Sequence, residues 1–289
     1  MKKGTLIVNS FLDTPQVRQT YDKLMEAAER HGMDMDIAGN GQFFARLDKS
    51  GVCPIPKKND FVLFWNKDVF LARALEEQGL RLYNCASAIE ICDDKSLTFE
   101  RLKGCIRMPE TYKIPMTFDT VGYSNFDFEE FLGNKLSYPY IIKESYGSYG
   151  GQVYLAENSD GARSILKKIE GKECLAQEYI GESCGRDIRA YVVGDRVAAA
   201  IERSNPGDFR ANITAGGHAK EYKLSEEEAQ LALKVTKLLG LDFAGVDILF
   251  SDRGPVLCEV NSNAQFKGIF DATGIDVADV ILEYIKTCG

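Results

Sequence analysis

Residues 245–261 read GVDILFSDRGPVLCEVN, two apolar runs separated by a turn. Pairing them as a hairpin symmetric about Arg253 places Asp247 directly opposite Glu259, where two like charges destabilise a sheet. Side chains two residues apart share a face, so Asn261 joins Glu259. If the register is shifted by one residue, these three are instead solvent-facing polar positions. The apolar residues between them favour the first alternative, which predicts a cation site.

Two carboxylates and an amide oxygen are hard ligands that suit Mg²⁺ or Mn²⁺, which proteins often bind together with substrate phosphates. A metal of that kind predicts a polyphosphate, and four further positions are candidates to contact it: Lys95, Lys143, Arg210 and Asn212. Lys143 precedes the glycines of IIKESYGSYGGQVYL (141–155), which is either a phosphate-holding loop or a hairpin with a glycine-rich turn. The stretch is not a Walker A motif. Each of the four, taken singly, fits a surface position better than a binding site.

The stretch DIRAYVV (187–193) places Asp187, Arg189 and Tyr191 on one strand face. That face is either part of a site or a solvated surface with an ion pair two residues apart. A tight turn at Gly194–Asp195 puts Arg203 on the opposite face from Arg189. The two arginines therefore serve one site only if a β-bulge intervenes.

The composition is that of a globular protein, with 45% hydrophobic and 27% charged residues. The net charge of −8 argues against a broad nucleic-acid surface. We expect neither a membrane span nor a signal peptide. Eight scattered cysteines and two histidines lack zinc-binding spacing, and the cysteines are expected to be reduced thiols of a cytoplasmic protein.

Three regions differ in pattern, and together they predict a mixture of α/β and α+β structure. Residues 1–85 alternate strands and helices, which predicts a parallel sheet without a dinucleotide-binding fingerprint. A compact helix near 93–104 then opens a small α+β region, in which 173–180 is expected to be a strand that leaves the sheet. Hairpins dominate 181–289, together with an amphipathic helix capped by Ser225 and ended by Gly240.

The residues quoted above, with QEYI (177–180), GRDIRAYVVGDRVAAAIER (185–203), the segment FRAN (209–212) and EVNSN (259–263), resemble the ATP-grasp fold. Their order and spacing are most similar to RimK-type amino-acid (glutamate) ligases, over nearly the whole chain. The resemblance implies a pre-ATP-grasp α/β domain at 1–92, a central lobe at 93–180 and a C-terminal lobe at 181–289. ATP would be clamped between the two lobes.

The resemblance also implies roles for single residues. The ATP contacts would be Lys95, Lys143, Ser148, Gly150, Gly151, Gln177, Glu178, Tyr179, Ile180, Asp187, Arg203, Arg210 and Asn212, with 144–151 as a mobile lid. Glu178 and Ile180 would present backbone groups to adenine. Asp247, Glu259 and Asn261 would hold Mg²⁺ or Mn²⁺, with two ions expected. Arg189, Arg203 and Arg210 would be catalytic, and Arg189, Asn263 and Lys267 would face the acyl substrate.

The implied reaction is formation of an amide through an acyl phosphate, from ATP, a carboxylic acid and an amine. The acceptor could be a small molecule, a peptide or a carrier protein, and the family pattern is compatible with a homo-oligomer. Two alternatives are a nucleotide-binding regulatory protein and a phosphotransferase of the same fold. After EVNS the chain reads NAQFKGIF, where glutamate-adding members typically carry a proline–glycine pair. This departure bears on the acid substrate, and Lys267 is either an acid-binding residue or a surface lysine.

Overall fold

The computed structural model describes residues 1–54, 56–57, 59–147, 150–211 and 217–288. The N-terminal part contains a four-stranded sheet of order β2-β1-β5-β6, a short hairpin β3-β4 and four helices. Both β2 and β5 pair with β1 in parallel, as the alternating pattern predicted. The elements are β1 (Lys3–Val8), α1 (Pro15–Arg30), β2 (Asp34–Gly39), β3 (Phe44–Ala45), β4 (Val52–Cys53), β5 (Phe61–Trp65), α2 (Val69–Glu77), β6 (Leu82–Tyr83), α3 (Ala86–Asp93) and α4 (Lys95–Leu102).

The central part is a four-stranded sheet of order β7-β10-β8-β9 covered by two helices. The expectation that 173–180 leaves the sheet is wrong, because β10 pairs with β7 on one side and β8 on the other. Its residues Cys174–Gln177 are buried accordingly. The elements are β7 (Thr111–Lys113), α5 (Asp127–Leu136), β8 (Tyr140–Glu144), β9 (Val153–Ala156), α6 (Ser159–Lys168) and β10 (Cys174–Glu178).

The C-terminal part is a five-stranded antiparallel sheet of order β13-β12-β11-β14-β15. The predicted helix α7 has a capping box between Ser225 and Glu228, and Gly240 ends it in the left-handed conformation. At the turn between β11 and β12, Gly194 has a φ of 60°, as a glycine-first turn requires. The elements are β11 (Arg186–Val193), β12 (Arg196–Ser204), β13 (His218–Glu221), α7 (Glu226–Leu239), β14 (Phe243–Leu249), β15 (Val256–Asn261), α8 (Lys267–Thr273) and α9 (Val277–Thr287).

The hydrophobic cores join the N-terminal and C-terminal parts and leave the central sheet with a core of its own. Trp65 at the end of β5 stacks on Phe243 of β14, with ring centroids 5.6 Å apart. Leu102 of α4 packs in a core with Val235 of α7, so α4 lies against the C-terminal sheet although the proposed boundary at residue 93 assigns it to the central lobe. The central sheet packs around Tyr140 and other residues of its own part of the chain. The N-terminal and C-terminal parts therefore share their hydrophobic cores, and the central sheet forms a second lobe.

No helix in the described ranges is long and apolar enough to cross a membrane.

Candidate active site

At the three polar positions, the hairpin β14–β15 has the register that the sequence predicted. Asp247 pairs with Glu259 and Gly245 with Asn261. Beyond Asp247 the register shifts by one residue, which leaves Cys258 as the extra residue of a bulge. Asn261 Nδ2 donates to Glu259 Oε1 at 2.9 Å, so these two side chains lie on one face.

A bulge also brings Arg189 and Arg203 together. Val192 pairs with Val197 but Tyr191 pairs with Ala199, so one extra residue on β12 shifts the remaining pairs. Arg203 consequently lies opposite Asp187, on the face of Arg189. The β-bulge that a shared arginine site requires is therefore present. The alternative of a solvated strand face is wrong, because Asp187 is 7% exposed and Arg203 is 4% exposed.

Two arginines and two aspartates form one buried network across β12, β11 and β14. Arg189 donates from Nε and Nη2 to the two carboxylate oxygens of Asp247, both at 2.7 Å. Arg203 makes the same kind of paired contact with Asp187, at 2.7 and 2.6 Å, and its Nη2 also reaches Asp247 Oδ2 at 2.8 Å. Burial raises the pKa of Asp247, but the two guanidinium groups outweigh it and hold that pKa below its usual range. The carboxylate is therefore ionised at neutral pH.

The predicted metal ligands have oxygen positions left for a cation. A carboxylate has about four acceptor positions. Three on Asp247 receive arginine N–H groups, which leaves one on Oδ1. Glu259 Oε2 and Asn261 Oδ1 accept no hydrogen bond within the described ranges. Those same ranges contain no cluster of three His, Cys, Asp or Glu side chains suited to a metal, so an ion held by Asp247 and Glu259 would need the Asn261 amide oxygen as its third protein ligand. The donor set fits Mg²⁺ completed by phosphate oxygens.

Beside this hairpin lies a narrow pocket lined by residues of all three parts of the chain, including Lys95, Gly147, Glu259 and Asn261. Lys95 is 8% exposed and donates to the Gly147 carbonyl oxygen at 3.1 Å. Burial lowers its pKa below the ordinary 10.5, Glu259 opposes that change, and the nearby Lys143 ammonium adds to it. Lys143 is itself buried, and its Nζ lies 3.9 Å from Cys258 Sγ. Two predicted phosphate contacts and two predicted metal ligands are thus neighbours.

The glycine stretch is a hairpin, since β8 and β9 pair with Lys143 opposite Val153. Arg210 ties the C-terminal part to this hairpin, because its Nη1 donates to the Gly150 carbonyl oxygen at 2.9 Å. Arg210 Nε and Nη2 donate to the two carboxylate oxygens of Asp208. Among the described residues, no atom lies within 4 Å of a Cβ placed on Gly151. The predicted contacts Ser148 and Asn212 lie outside the described residues.

Four predicted ATP contacts, Gln177 to Ile180, lie at and after the end of β10. Gln177 is buried and donates from Nε2 to Thr111 Oγ1 at 3.0 Å. The Glu178 N–H donates to the Glu110 carbonyl oxygen, and the Ile180 carbonyl oxygen accepts from the Ser183 N–H. These backbone groups have partners within the chain, so contact with adenine requires Glu178 and Ile180 to use their remaining groups.

Burial, with a hydrogen bond to Cys184 as a further cause, raises the pKa of Tyr179 to about 12.

Asn263 and Lys267 are the two other substrate candidates, and they lie in different surroundings. Asn263 Nδ2 donates to the Asn66 carbonyl oxygen at 2.8 Å, and its Oδ1 is buried without a hydrogen-bond partner among the described residues. Lys267 instead forms an ion pair with Asp271 one turn along α8, where both side chains are about half exposed. That contact fits the surface-lysine alternative.

Sequence reasoning missed Lys67, which also lines the pocket. It follows the apolar run FVLFW (61–65) by two positions. A polar residue directly after a buried parallel strand is a signal in its own right, since ligands bind at the carboxyl ends of such strands.

Comparison with known families gives an independent match. A RimK-like ATP-grasp domain model matches residues 102–285, more than half of the chain. A probable alpha-L-glutamate ligase 2 of Shewanella denitrificans is 38% identical over 282 residues, covering 91% of this chain and 90% of that protein. A probable alpha-L-glutamate ligase of Parasynechococcus marenigrum is 34% identical over 282 residues; this chain spans only 58% of its length.

Among solved structures, the chain is similar to a RimK domain ATP-grasp protein from Sphaerobacter thermophilus. The TM-score is 0.73 with 98% of each chain covered, at 20% sequence identity. That similarity concerns the fold.

Proposed function

Because the chain belongs to the RimK-like ATP-grasp family, we propose that it is an ATP-dependent ligase that joins a carboxylic acid to an amine. The observation that carries the proposal is the arginine–aspartate network beside Glu259 and Asn261, with Lys95 and Lys143 next to it. A regulatory nucleotide sensor has little need of two buried arginines at this position.

The reaction we propose has two steps. A carboxylate oxygen of the acid attacks the γ-phosphorus of ATP, the bond from that phosphorus to the β–γ bridging oxygen breaks, and ADP leaves. The amine nitrogen then attacks the carbonyl carbon of the acyl phosphate, the carbon–oxygen bond to phosphate breaks, and the amine loses a proton. ATP, acid and amine yield ADP, phosphate and an amide.

The chain's own groups supply charge and position rather than a nucleophile. Arg203 and Arg189 have guanidinium N–H groups beyond those bound to aspartate, and these would stabilise negative charge on the transferred phosphoryl group and on the acyl carbonyl. Lys95 and Lys143 would neutralise ATP phosphates. Asp247, Glu259 and Asn261 would hold Mg²⁺, which shields phosphate charge when bound. Removing water from the cleft would protect the acyl phosphate from hydrolysis.

An amino acid or a peptide is the substrate class we propose for the acid and the amine. L-Glutamate is the first amino acid to test, since curated relatives are named probable alpha-L-glutamate ligases. The proposed compartment is the cytoplasm, because the reaction consumes ATP and all eight cysteines, which lie within the described residues, are free.

The experiment is a phosphate-release screen with ATP and Mg²⁺ over pairs of amino acids and short peptides, with mass spectrometry of the products. Phosphate release that requires both an acid and an amine, with an amide product, supports the ligase. A phosphorylated acceptor that accumulates with ADP, without an amide product, indicates a phosphotransferase. ADP formation that depends on no acceptor at all contradicts the proposal.

A further inference from the structure

The loop after β5 brings a lysine of the N-terminal sheet into the pocket of the metal ligands. β5 is buried along its whole length, and Asn66 and Lys67 follow its carboxyl end. Lys67 lines the same pocket as Lys95, Glu259 and Asn261. Its charge also acts on Lys95, whose pKa burial lowers first and the Lys143 and Lys67 ammonium groups lower further. Lys67 is thus a third cation beside the pocket, and it comes from a different part of the fold.

The backbone that carries Lys67 is held on both sides. Asn66 is 5% exposed, and its Oδ1 accepts the N–H groups of Lys67 at 2.7 Å and of Asp68 at 3.0 Å. The Asn66 carbonyl oxygen in turn accepts Asn263 Nδ2 at 2.8 Å, two residues beyond Asn261. The loop of the N-terminal sheet is therefore tied to the strand that bears the metal ligands. Such a tie fixes where the lysine side chain starts, which is what a binding residue needs.

A ligase of this kind needs a cation that does not serve ATP. The attacking carboxylate and the γ-phosphate must approach to about 3–3.5 Å, although both are negatively charged. Their repulsion is strong in a cleft of low dielectric constant unless a positive charge faces the carboxylate. Lys95 and Lys143 are the expected phosphate contacts. Arg189 is a candidate to face the acid from the C-terminal sheet, where two of its nitrogens are bound to Asp247. Lys67 would add a positive charge to the pocket from the N-terminal sheet.

We infer that Lys67 is a substrate-binding residue, which neutralises the carboxylate of the acid and then the acyl phosphate formed from it. This inference rests on the proposed function and adds to it a contribution of the N-terminal sheet to the reacting centre. It also gives Asn263 a role, as the residue that positions the Lys67 loop through the Asn66 carbonyl.

The competing explanation is structural, because Lys67 also forms an ion pair with Asp93 at the end of α3. The side chains are 43% and 23% exposed, and exposed pairs contribute little stability. Asp93 supplies the matched control. Asp93→Asn removes the same ion pair but leaves the ammonium group, whereas Lys67→Met removes both.

The test uses inorganic phosphate as the probe, titrated calorimetrically into the full chain with and without Mg²⁺·ADP. For Lys67→Met we expect phosphate affinity to fall about tenfold or more, the size of a charge-assisted hydrogen bond, with ADP affinity unchanged. Lys67→Arg should restore most of the loss. Asp93→Asn should bind phosphate as tightly as the unmodified protein, or more tightly. With an acid found by the screen, Lys67→Met should raise the KM of the acid more than that of ATP.

Equal losses in Lys67→Met and Asp93→Asn would overturn the inference, as would unchanged phosphate affinity in Lys67→Met. If the unmodified protein fails to bind Mg²⁺·ADP, the proposed function fails, and the titration without nucleotide still decides whether Lys67 binds an anion. Failure of the ligase and failure of the lysine assignment are thus separate results.

Discussion

Asp247 and Glu259 look equivalent as metal ligands, but we predict that neutralising them has different consequences for stability. Asp247 is 3% exposed and accepts hydrogen bonds from two guanidinium groups. Glu259 is partly exposed and accepts only the Asn261 amide within the described ranges. Asp247→Asn therefore leaves Arg189 and Arg203 beside a neutral side chain, whereas Glu259→Gln keeps an acceptor for Asn261.

The expected magnitudes follow from burial. Removing one partner of a buried ion pair costs about 3–5 kcal/mol. We expect the lower end, about 3 kcal/mol, for Asp247→Asn, because Arg203 keeps its paired contact with Asp187. Glu259→Gln should change the free energy of unfolding by about 0.5 kcal/mol or less, as is usual away from buried networks. Both substitutions should raise the Mg²⁺ concentration for half-maximal turnover at least about tenfold.

The assay is urea unfolding followed by tryptophan fluorescence. The chain has one tryptophan, Trp65, which is buried against Phe243 of the strand that carries Asp247. Turnover against Mg²⁺ concentration is measured on the same samples. If Asp247→Asn unfolds at the same urea concentration as Glu259→Gln, the network contributes no net stability and the reasoning is refuted. Normal Mg²⁺ dependence in Glu259→Gln would remove that residue from the metal site.

Three further predictions concern other parts of the structure. Burial lowers the pKa of Lys95, so the free protein should lose ATP affinity as the pH rises through a value below 10.5; Lys95→Arg, which stays charged, should show no such loss in pH-dependent binding titrations. Asn84 is fully buried and makes four hydrogen bonds to backbone groups of the C-terminal part, so Asn84→Ala should lower the free energy of unfolding by about 3–5 kcal/mol; an unchanged urea midpoint would contradict this. A Cβ on Gly245 would lie 2.6 Å from the Ala264 Cβ, so Gly245→Ala should destabilise by about 1–3 kcal/mol. Gly151→Ala, whose Cβ would meet no atom of the described residues within 4 Å, should unfold like the unmodified protein.

The sequence predicted those elements whose signals are local. The cap and the terminal glycine of α7 lie next to the helix in the sequence. The alternation that predicted a parallel N-terminal sheet likewise comes from consecutive short segments. The register of Asp247 against Glu259 could be worked out because the apolar residues between the polar ones favour one face of the hairpin over the other. The helices α3, α5 and α8 were not anticipated. The stretch 119–137, which contains α5, is largely polar, and α8 is only seven residues long.

Bulges and contacts between distant segments required the tertiary structure. The sequence showed that a bulge was needed to unite Arg189 with Arg203, but it could not place one, because a bulge depends on packing across the whole sheet. Nor could it show that β10 lies inside its sheet rather than at the edge. Strand order depends on which neighbour covers each strand, and that information is not local.

By itself, the sequence determined the family, and it predicted three regions and most of the charged residues of the candidate site. Only the tertiary structure decided which charges are partners: Asp247 holds two arginines, Lys267 pairs with Asp271 on the surface, and Lys67 enters the pocket from a third sheet. The physical reason is the range of the interactions. Alternation and capping act over a few residues, whereas desolvated charges select partners that are far apart in the chain and close in space.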